Sequence, residues 1–297
     1  ITLKFGGSTL HGPESIKRVS RLIALKSKQA RSFVVVSALK GSTEALIAIS
    51  RSTATEALAQ FDALIERHRL TARALLDGAR VLAWETDIAP YCATCRHVLA
   101  ADTRRDGDIA TLLAVGEKLS AALLHQVLQL DLQDSRWLCS EHLIITKGRR
   151  LQATVDLHAS RSALQALLEN PEPNRITIIT GFCGGDGKGR TTLLGRNASD
   201  YSAALVARYT GSSALEIIGD TDGILSADPD YVPGANRIAR LSWNDALLLA
   251  RAGSGVLHPR TVEPLLGTDI SLRLDGLPQS GGTVIGATCQ QRQQSLI

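Results

Sequence analysis

Hydrophobic and polar positions in the first fifty residues alternate between short apolar runs and longer amphipathic stretches. Residues 1–5 form an apolar run that ends in a Gly-Gly pair, and from Pro13 onward apolar side chains recur at helical spacing. Residues 33–36 are apolar without alternation, which is typical of a strand buried on both faces, and a helical pattern resumes at residue 44. This order of strand, glycine loop and helix, found twice, predicts a parallel sheet with helices on its faces.

The rest of the chain continues this alternation after a long helical stretch. Residues 50–130 are rich in Ala and Leu, and the leucines of residues 112–130 are predicted to lie in the core or an interface. Further strands are predicted at residues 143–146, 175–180, 215–218, 270–274 and 283–285, and helices at residues 200–209 and after Ser242, the expected N-cap. No internal repeat is visible, so we expect one α/β domain.

Composition narrows the class of protein. Of the 297 residues, 44% are hydrophobic and 21% charged, as in ordinary globular domains, which excludes a disordered or fibrous chain. The net charge of +4 arises without a basic run, so no nucleic-acid partner is expected, and no apolar stretch is long enough to indicate a membrane partner. Five scattered cysteines predict free thiols in a reducing compartment, and the cytoplasm is the expected location.

The first candidate for chemistry is Lys4-Phe5-Gly6-Gly7-Ser8-Thr9. A lysine at the end of a strand, followed by two glycines, places a cation beside backbone N–H groups that an anion can approach closely. The segment is not a Walker A loop, because its lysine precedes the glycines. A plain turn explains the glycines equally well.

Two further segments carry polar residues in helical contexts. Ser199 or Asp200 could cap the helix that begins near residue 200, whereas Arg196, a cation at a helix N-terminus, is better explained by an anionic ligand. Glu117 lies in a mostly apolar helical stretch and, taken alone, is expected to be an exposed helix residue. Cys92 and Cys95 have the spacing of a metal or redox pair, but no second pair accompanies them, and no metal site is predicted.

Together these segments resemble the aspartate kinases of the amino-acid kinase family, over essentially the whole chain and in order. The matching stretches are Lys4-Phe5-Gly6-Gly7-Ser8, Ser37-Ala38 with Gly41 and Thr43, Gly116-Glu117-Lys118-Leu119-Ser120, Thr191 to Ala203, Asp220-Thr221-Asp222-Gly223-Ile224, Ala227-Asp228-Pro229 and Val256-Leu257-His258-Pro259-Arg260. The last of them separates aspartate kinases from kinases of glutamate, acetylglutamate and uridylate. The resemblance implies a three-layer αβα sandwich around an open, mainly parallel sheet.

The resemblance also implies a reaction, the transfer of the γ-phosphoryl group of ATP, with Mg²⁺, to the β-carboxylate of L-aspartate. It assigns catalysis to Lys4 and Asp200, Asp200 orienting Lys4 or helping to organise the Mg²⁺ shell. The implied substrate-binding residues are Thr43, Glu117, Arg196 and Ser199, where Arg196 would hold the α-carboxylate and Glu117 the α-ammonium group. The implied nucleotide-binding residues are Lys4, Gly6, Gly7, Ser8, Ser37, Gly219 and Asp220.

The expected nucleotide half departs from the family pattern. Leu225 stands where an aromatic residue is frequent, Asp230 where the family has Arg, Gly255 where it has Lys, and Gly219 where it has Thr. Losing charged contacts to a phosphate tail at about 1.5–3 kcal/mol each would weaken ATP binding. An alternative function is therefore a kinase-fold module that binds aspartate with weak or no ATP turnover.

The two ends of the chain suggest a larger protein. The sequence opens at Ile1 and contains no methionine. Residues 1–289 are expected to form the kinase catalytic domain, and residues 290–297 a polar tail or linker. Family members often continue into regulatory, dehydrogenase or decarboxylase domains, so we expect a natural fusion of this kind, and a homodimer.

Overall fold

The computed structural model describes residues 1–101, 103–131, 133–169, 175–195, 197–253 and 255–286. The strands are β1 Thr2–Phe5, β2 Ser32–Val36, β3 Ser135–Leu138, β4 Thr146–Arg149, β5 Gln152–Val155, β6 Ile176–Thr180, β7 Cys183–Gly185, β8 Thr191–Leu193, β9 Ala214–Ile218, β10 Ile224–Leu225, β11 Arg237–Ile238, β12 Arg240–Leu241, β13 Ser271–Asp275 and β14 Thr283–Ile285. The helices are α1 Pro13–Ser27, α2 Ser42–Arg51, α3 Ala54–Leu75, α4 Gly78–Leu99, α5 Asp106–Leu113, α6 Val115–Leu130, α7 Leu157–Ala166, α8 Ala198–Tyr209, α9 Trp243–Arg251 and α10 Pro259–Val262, with 3₁₀ turns at Ser140–His142 and Glu263–Leu265.

Eight strands form the central sheet in the order β12-β14-β13-β9-β1-β2-β6-β3. Every neighbouring pair is parallel except β13 with β14. Three antiparallel pairs lie outside this sheet, namely β4-β5, β7-β8 and β10-β11. Strand β2 follows β1 in the sequence and lies on one side of it, whereas β9 comes much later and lies on the other side. The direction in which strands are added to the sheet therefore reverses at β1. Loops diverge at such a point and leave a crevice.

Side chains of β2 show why the domain has three layers. Val34 and Val36 belong to one hydrophobic cluster with α1, α3, α4 and α6, whereas Phe33 and Val35 belong to a second cluster with α8, α9 and α10. Successive residues of a strand point to opposite faces, so a run that is apolar throughout needs cover on both. The predicted αβα sandwich around a mainly parallel sheet is confirmed.

Among the local elements, one predicted helix cap is confirmed, one predicted strand is wrong and one edge strand was missed. Ser242 caps α9, its Oγ accepting a hydrogen bond of 3.1 Å from the Asp245 amide. The predicted strand at residues 143–146 is wrong, because this buried apolar segment is mostly a turn, and strand pairing starts at its end, where β4 begins at Thr146. Edge strand β3 was missed, since most of its side chains are only half-buried and form no apolar run. None of the helices in the described ranges is long and apolar enough to cross a membrane.

Candidate active site

Four parallel strands end in register at one edge of the sheet. Ile218, Phe5, Val36 and Thr180 are successive partners across β9, β1, β2 and β6. The loops that follow these strands therefore emerge side by side. In open α/β sheets, ligands bind in the crevice outside the carboxyl ends of the strands, and most of the predicted site residues lie in or beside these loops.

A cavity of about 740 Å³ opens above these strand ends. Nine of the residues predicted to form the site line it, namely Lys4, Gly6, Gly7, Ser8, Ser37, Thr43, Glu117, Ser199 and Asp200. They come from the end of β1, from the loops after β1 and β2, from α2 and α6, and from the first turn of α8. Residues that are distant in sequence thus share one cavity, which we call the active cleft.

Lys4 and Asp200 form an ion pair within the active cleft. Lys4 Nζ lies 2.6 Å from Asp200 Oδ1, and the two side chains are 12% and 24% exposed. Lys4 comes from the central strand β1, and Asp200 from the first turn of α8, where a carboxylate is favoured by the helix dipole. The pair therefore fixes the direction of a cation at the point where strand, glycine loop and helix N-terminus meet.

The start of α8 is shaped by backbone conformation and not by a side-chain cap. Asn197 takes the N-cap position with φ 54°, and its side chain makes no capping hydrogen bond. The capping prediction for Ser199 and Asp200 is wrong, because both lie inside the first turn and line the cleft. Gly181, directly after β6, lets the first turn of α8 lie close to the end of that strand, because a Cβ on residue 181 would lie only 2.7 Å from Ser199 Oγ.

Glu117 is buried, and the exposed position expected for it in isolation is wrong. It is 3% exposed, and Oε1 accepts a hydrogen bond of 3.2 Å from the Ala38 amide. Oε2 is also buried and has no hydrogen-bond partner. Burial raises the pKa of Glu117 to about 8, partly offset by that hydrogen bond. A buried carboxylate oxygen without a partner, on the wall of a cleft, is suited to receive a cationic group of a ligand.

The loop after β2 and helix α6 hold Glu117 in this position. Ser120 Oγ donates a hydrogen bond of 2.6 Å to the Ser37 carbonyl. A Cβ on Gly116 would lie 2.8 Å from the Ala38 Cβ, so only glycine lets the helix approach the loop this closely. The predicted glycine and serine of this motif therefore explain how α6 packs on the loop.

Two predicted nucleotide residues and one substrate residue are not part of the described cleft lining. Gly219 and Asp220 follow β9, on the other side of β1 from Ser37 and Thr43, and Gly219 N donates a 2.9 Å hydrogen bond to the Asp275 carbonyl. Arg196 lies outside the described residues, as does the tail at residues 290–297.

The active cleft also contains residues that the sequence reasoning missed. Phe182 lines it with φ 69°, a left-handed conformation that is unusual for a bulky residue and found most often at functional sites. Leu151 and Gln152 come from the β4-β5 hairpin, and Ile109 and Leu113 from α5. Nothing in the sequence pattern marks these positions, because the fold alone brings them to the cleft.

A second cavity of about 740 Å³ contains none of the predicted site residues. It lies along the other face of α5 and is lined by α4, the start of α6 and the turns of the β4-β5 and β7-β8 pairs. Cys95 lines it in part, but Cys92 and Cys95 are buried in the core, and burial raises their pKa values to about 11 and 12. Such thiols are poor nucleophiles and poor metal ligands.

The active cleft can bind a ligand that carries both negative and positive charge. Lys4, the glycine amides and the N-terminus of α8 favour anionic groups, whereas the free oxygen of Glu117 favours a cation. Within the described residues, no group of three His, Cys, Asp or Glu side chains could hold a metal ion.

Comparison with known sequences shows which family the chain is similar to. Residues 1–274 match the sequence model of the amino acid kinase family. The chain is 30% identical, over 95% of its length, to a bifunctional aspartokinase/homoserine dehydrogenase of Haemophilus influenzae. It is 32% identical, over 97% of its length, to an aspartokinase of Chlamydia pneumoniae. It spans 36% and 63% of the lengths of these two relatives.

Comparison with solved structures gives the same result. The crystal structure of E. coli aspartokinase III in complex with aspartate and ADP superposes with a TM-score of 0.87 and 27% identity, covering 98% of this chain and 65% of that one. UMP kinase of Ureaplasma parvum, at 14% identity and a TM-score of 0.53, shares the fold. With the profile match over most of its length, the chain belongs to the amino acid kinase family.

Proposed function

We propose that this chain is the catalytic domain of an aspartate kinase. It transfers the γ-phosphoryl group of MgATP to the β-carboxylate of L-aspartate and yields 4-phospho-L-aspartate, the entry to lysine, threonine and methionine biosynthesis. The observation that carries this proposal is the buried, unpartnered oxygen of Glu117 in the same cleft as the Lys4–Asp200 pair. An amino-acid substrate brings an ammonium group that can pair with this oxygen.

The reaction is a direct displacement. A β-carboxylate oxygen forms a bond to the γ-phosphorus while the bond from that phosphorus to the bridging oxygen breaks, and ADP leaves. The nucleophile is already ionised at neutral pH, so no general base is needed, and the residues have to position two anions and reduce their repulsion. Lys4 supplies positive charge to the transferring group, and Asp200 keeps its ammonium group oriented.

The position of Lys4 fits transfer between two bound substrates. β1 lies between β9, which leads to Gly219 and Asp220, and β2, which leads to Ser37 and Thr43. We place the nucleotide on the β9 side, where Gly6, Gly7 and Ser8 add backbone and hydroxyl groups. Aspartate then lies on the β2 side, with Thr43, Glu117 and Ser199 around it, and with Arg196 on its α-carboxylate as the motif implies.

The wider setting is also a proposal. The relatives are named as aspartokinases, and several of them are joined to a homoserine dehydrogenase, so we infer that this domain works within a larger protein that carries regulatory or fused domains. We infer a homodimer, which light scattering of the natural gene product would test, and a cytoplasmic location, where ATP and aspartate are at hand.

A hydroxylamine trap tests the proposed reaction. Incubation with MgATP, L-aspartate and hydroxylamine should give aspartyl hydroxamate in an amount that depends on all three, because hydroxylamine captures acyl phosphates. L-Glutamate in place of aspartate should give far less. Aspartate binding measured by calorimetry without any hydroxamate, even at saturating MgATP, would contradict the kinase and favour the aspartate-binding module.

A further inference from the structure

Arg260 connects both ends of the segment that enters α8. Its Nη1 donates a hydrogen bond of 2.6 Å to the Leu194 carbonyl, just before this segment. Its guanidinium carbon lies 4.2 Å from the ring centroid of Tyr201, just after Asp200. One side chain thus holds the two ends of a stretch that contains Ser199 and Asp200.

Arginine suits this position for a geometric reason. The guanidinium group is planar, so it can stack on an aromatic ring through its face and donate hydrogen bonds from its edge. A lysine ammonium group can keep the charge but cannot make both contacts in the same geometry. Among the described residues no carboxylate forms an ion pair with Arg260, so the Leu194 carbonyl and the ring and hydroxyl group of Tyr201 account for its orientation.

The backbone that carries Arg260 is itself well fixed. His258 caps α10, and its Nδ1 accepts a 3.2 Å hydrogen bond from the Arg260 amide. Pro259 occupies the first helical turn, where its restricted φ favours a helix start. Leu257 and Val262 are buried in the same hydrophobic cluster as Leu194. The Leu-His-Pro-Arg motif thus presents one guanidinium group from a rigid corner.

The segment that leads into α8 depends on contacts from other parts of the protein. Gly195 and Asn197 have left-handed backbone conformations, with φ 91° and 54°, and α8 has no side-chain cap of its own. We propose that Arg260 is a positioning residue that clamps this segment, so that Asp200 stays on Lys4 and Ser199 stays at the cleft. This role rests on the proposed aspartate kinase function, although Arg260 touches no reacting group.

Kinetics of Arg260→Ala test the clamp. The KM for aspartate should rise about tenfold or more, as expected for losing a charged hydrogen bond, while the KM for MgATP changes less than about threefold. Arg251→Ala is the matched control, because Arg251 is a largely exposed arginine on neighbouring α9. Equal shifts in both KM values, or no shift in the KM for aspartate, would overturn the proposal.

Conservative variants separate positioning from general stability. Tyr201→Phe keeps the ring but removes the hydroxyl group that also contacts Arg260, so it should raise the KM for aspartate only slightly, whereas Tyr201→Ala should raise it as Arg260→Ala does. The double variant should be little worse than either single one, because both remove the same clamp. Arg260→Lys should be intermediate, and it decides the matter if Arg260→Ala does not fold. Fully additive effects would contradict a shared clamp.

Hydrogen exchange without substrates distinguishes this proposal from the proposed function. Amides in a peptide spanning residues 194–205 should exchange faster in Arg260→Ala than in wild type or Arg251→Ala, with other peptides unchanged. Unchanged exchange would overturn the clamp even if the kinase assay succeeds. Faster exchange together with a wild-type chain that makes no aspartyl hydroxamate would keep the clamp and refute the kinase.

Discussion

Glu117 combines a cost for folding with a use for binding. Its carboxyl group is almost fully buried with one oxygen unpartnered, which raises the pKa of Glu117 to about 8. Burial of this carboxyl group reduces the stability of the folded protein. Its position at a cleft indicates that a bound ligand of opposite charge offsets this cost. Under the proposed function that ligand group is the α-ammonium of aspartate.

The first prediction is a pH dependence of aspartate binding. Only ionised Glu117 attracts an ammonium group, and with a pKa of about 8 the ionised fraction rises from roughly a tenth at pH 7 to a half at pH 8. The Kd for aspartate should therefore fall about fivefold over that interval, with proton release on binding at pH 7. Calorimetry in buffers of different ionisation enthalpy measures both quantities, and a Kd that rises with pH would contradict the assignment.

The second prediction concerns stability. The folded state keeps a proton on Glu117 that the unfolded state loses above the ordinary pKa of 4.5, so the free energy of unfolding decreases as pH rises from about 4.5 to 8. Glu117→Gln should match wild type near pH 5 and be more stable at pH 9, on the order of 2–4 kcal/mol, while losing aspartate binding. Denaturant titrations at the two pH values measure this difference.

Glu44→Gln is the matched control for that experiment. Glu44 lines the same cleft but is exposed, so its replacement should leave the pH dependence of stability unchanged. If both variants responded alike, burial of Glu117 would not be the cause.

At the scale of elements, the close contact of α6 with the loop after β2 positions Glu117. A helix glycine usually reduces stability relative to alanine, by about 1 kcal/mol. Gly116 is retained in α6 where a Cβ would meet Ala38 at 2.8 Å and Leu46 at 3.3 Å. Packing therefore outweighs helix propensity at this position.

The third prediction follows from that contact. Gly116→Ala should destabilise the protein by about 1–3 kcal/mol, because a well-packed contact has to open, and it should raise the KM for aspartate. Gly78→Ala in α4 is the control, since no atom lies within 4 Å of its added Cβ. That variant should be neutral or slightly more stable. Equal effects of the two substitutions in thermal unfolding would refute the packing argument.

The sequence predicts elements well where hydrophobic pattern and local chemistry agree. The buried run in β2, the proline that opens α1 and the Ser242 cap of α9 each have a local cause. Prediction fails where tertiary context decides, as in the half-buried edge strand β3 and the apolar turn before β4. The cleft residues follow the same rule, because Phe182 is marked only by a backbone angle that no sequence pattern reveals.

At the scale of the molecule, two exposed acidic residues lie on the side of β1 where we propose that the nucleotide binds. Asp220 and Asp230 both follow β9 in the chain, and both are exposed. A net charge of +4 therefore does not mean that both proposed substrates meet positive surfaces. This proposed nucleotide side is also where the sequence departs from the pattern expected of an aspartate kinase.

The fourth prediction tests the effect of one of these acidic residues. Asp230→Arg should lower the KM for MgATP about three- to tenfold at low salt, because it replaces repulsion of a phosphate tail by attraction, and the effect should shrink as salt is added. Asp269→Arg is the control, because this exposed residue precedes β13 and therefore lies at the amino ends of the parallel strands, away from the active cleft. An equal effect of both substitutions would indicate net charge alone.

Reduction of the product by borohydride shows which carboxylate of aspartate received the phosphoryl group. An acyl phosphate on the β-carboxylate of aspartate is reduced to homoserine, whereas one on the α-carboxylate gives 3-amino-4-hydroxybutyrate. After incubation with MgATP and L-aspartate, chromatography should show homoserine for the wild type and none for Lys4→Ala. The α-derived product, no reduced product from the wild type, or undiminished homoserine from Lys4→Ala would contradict the account.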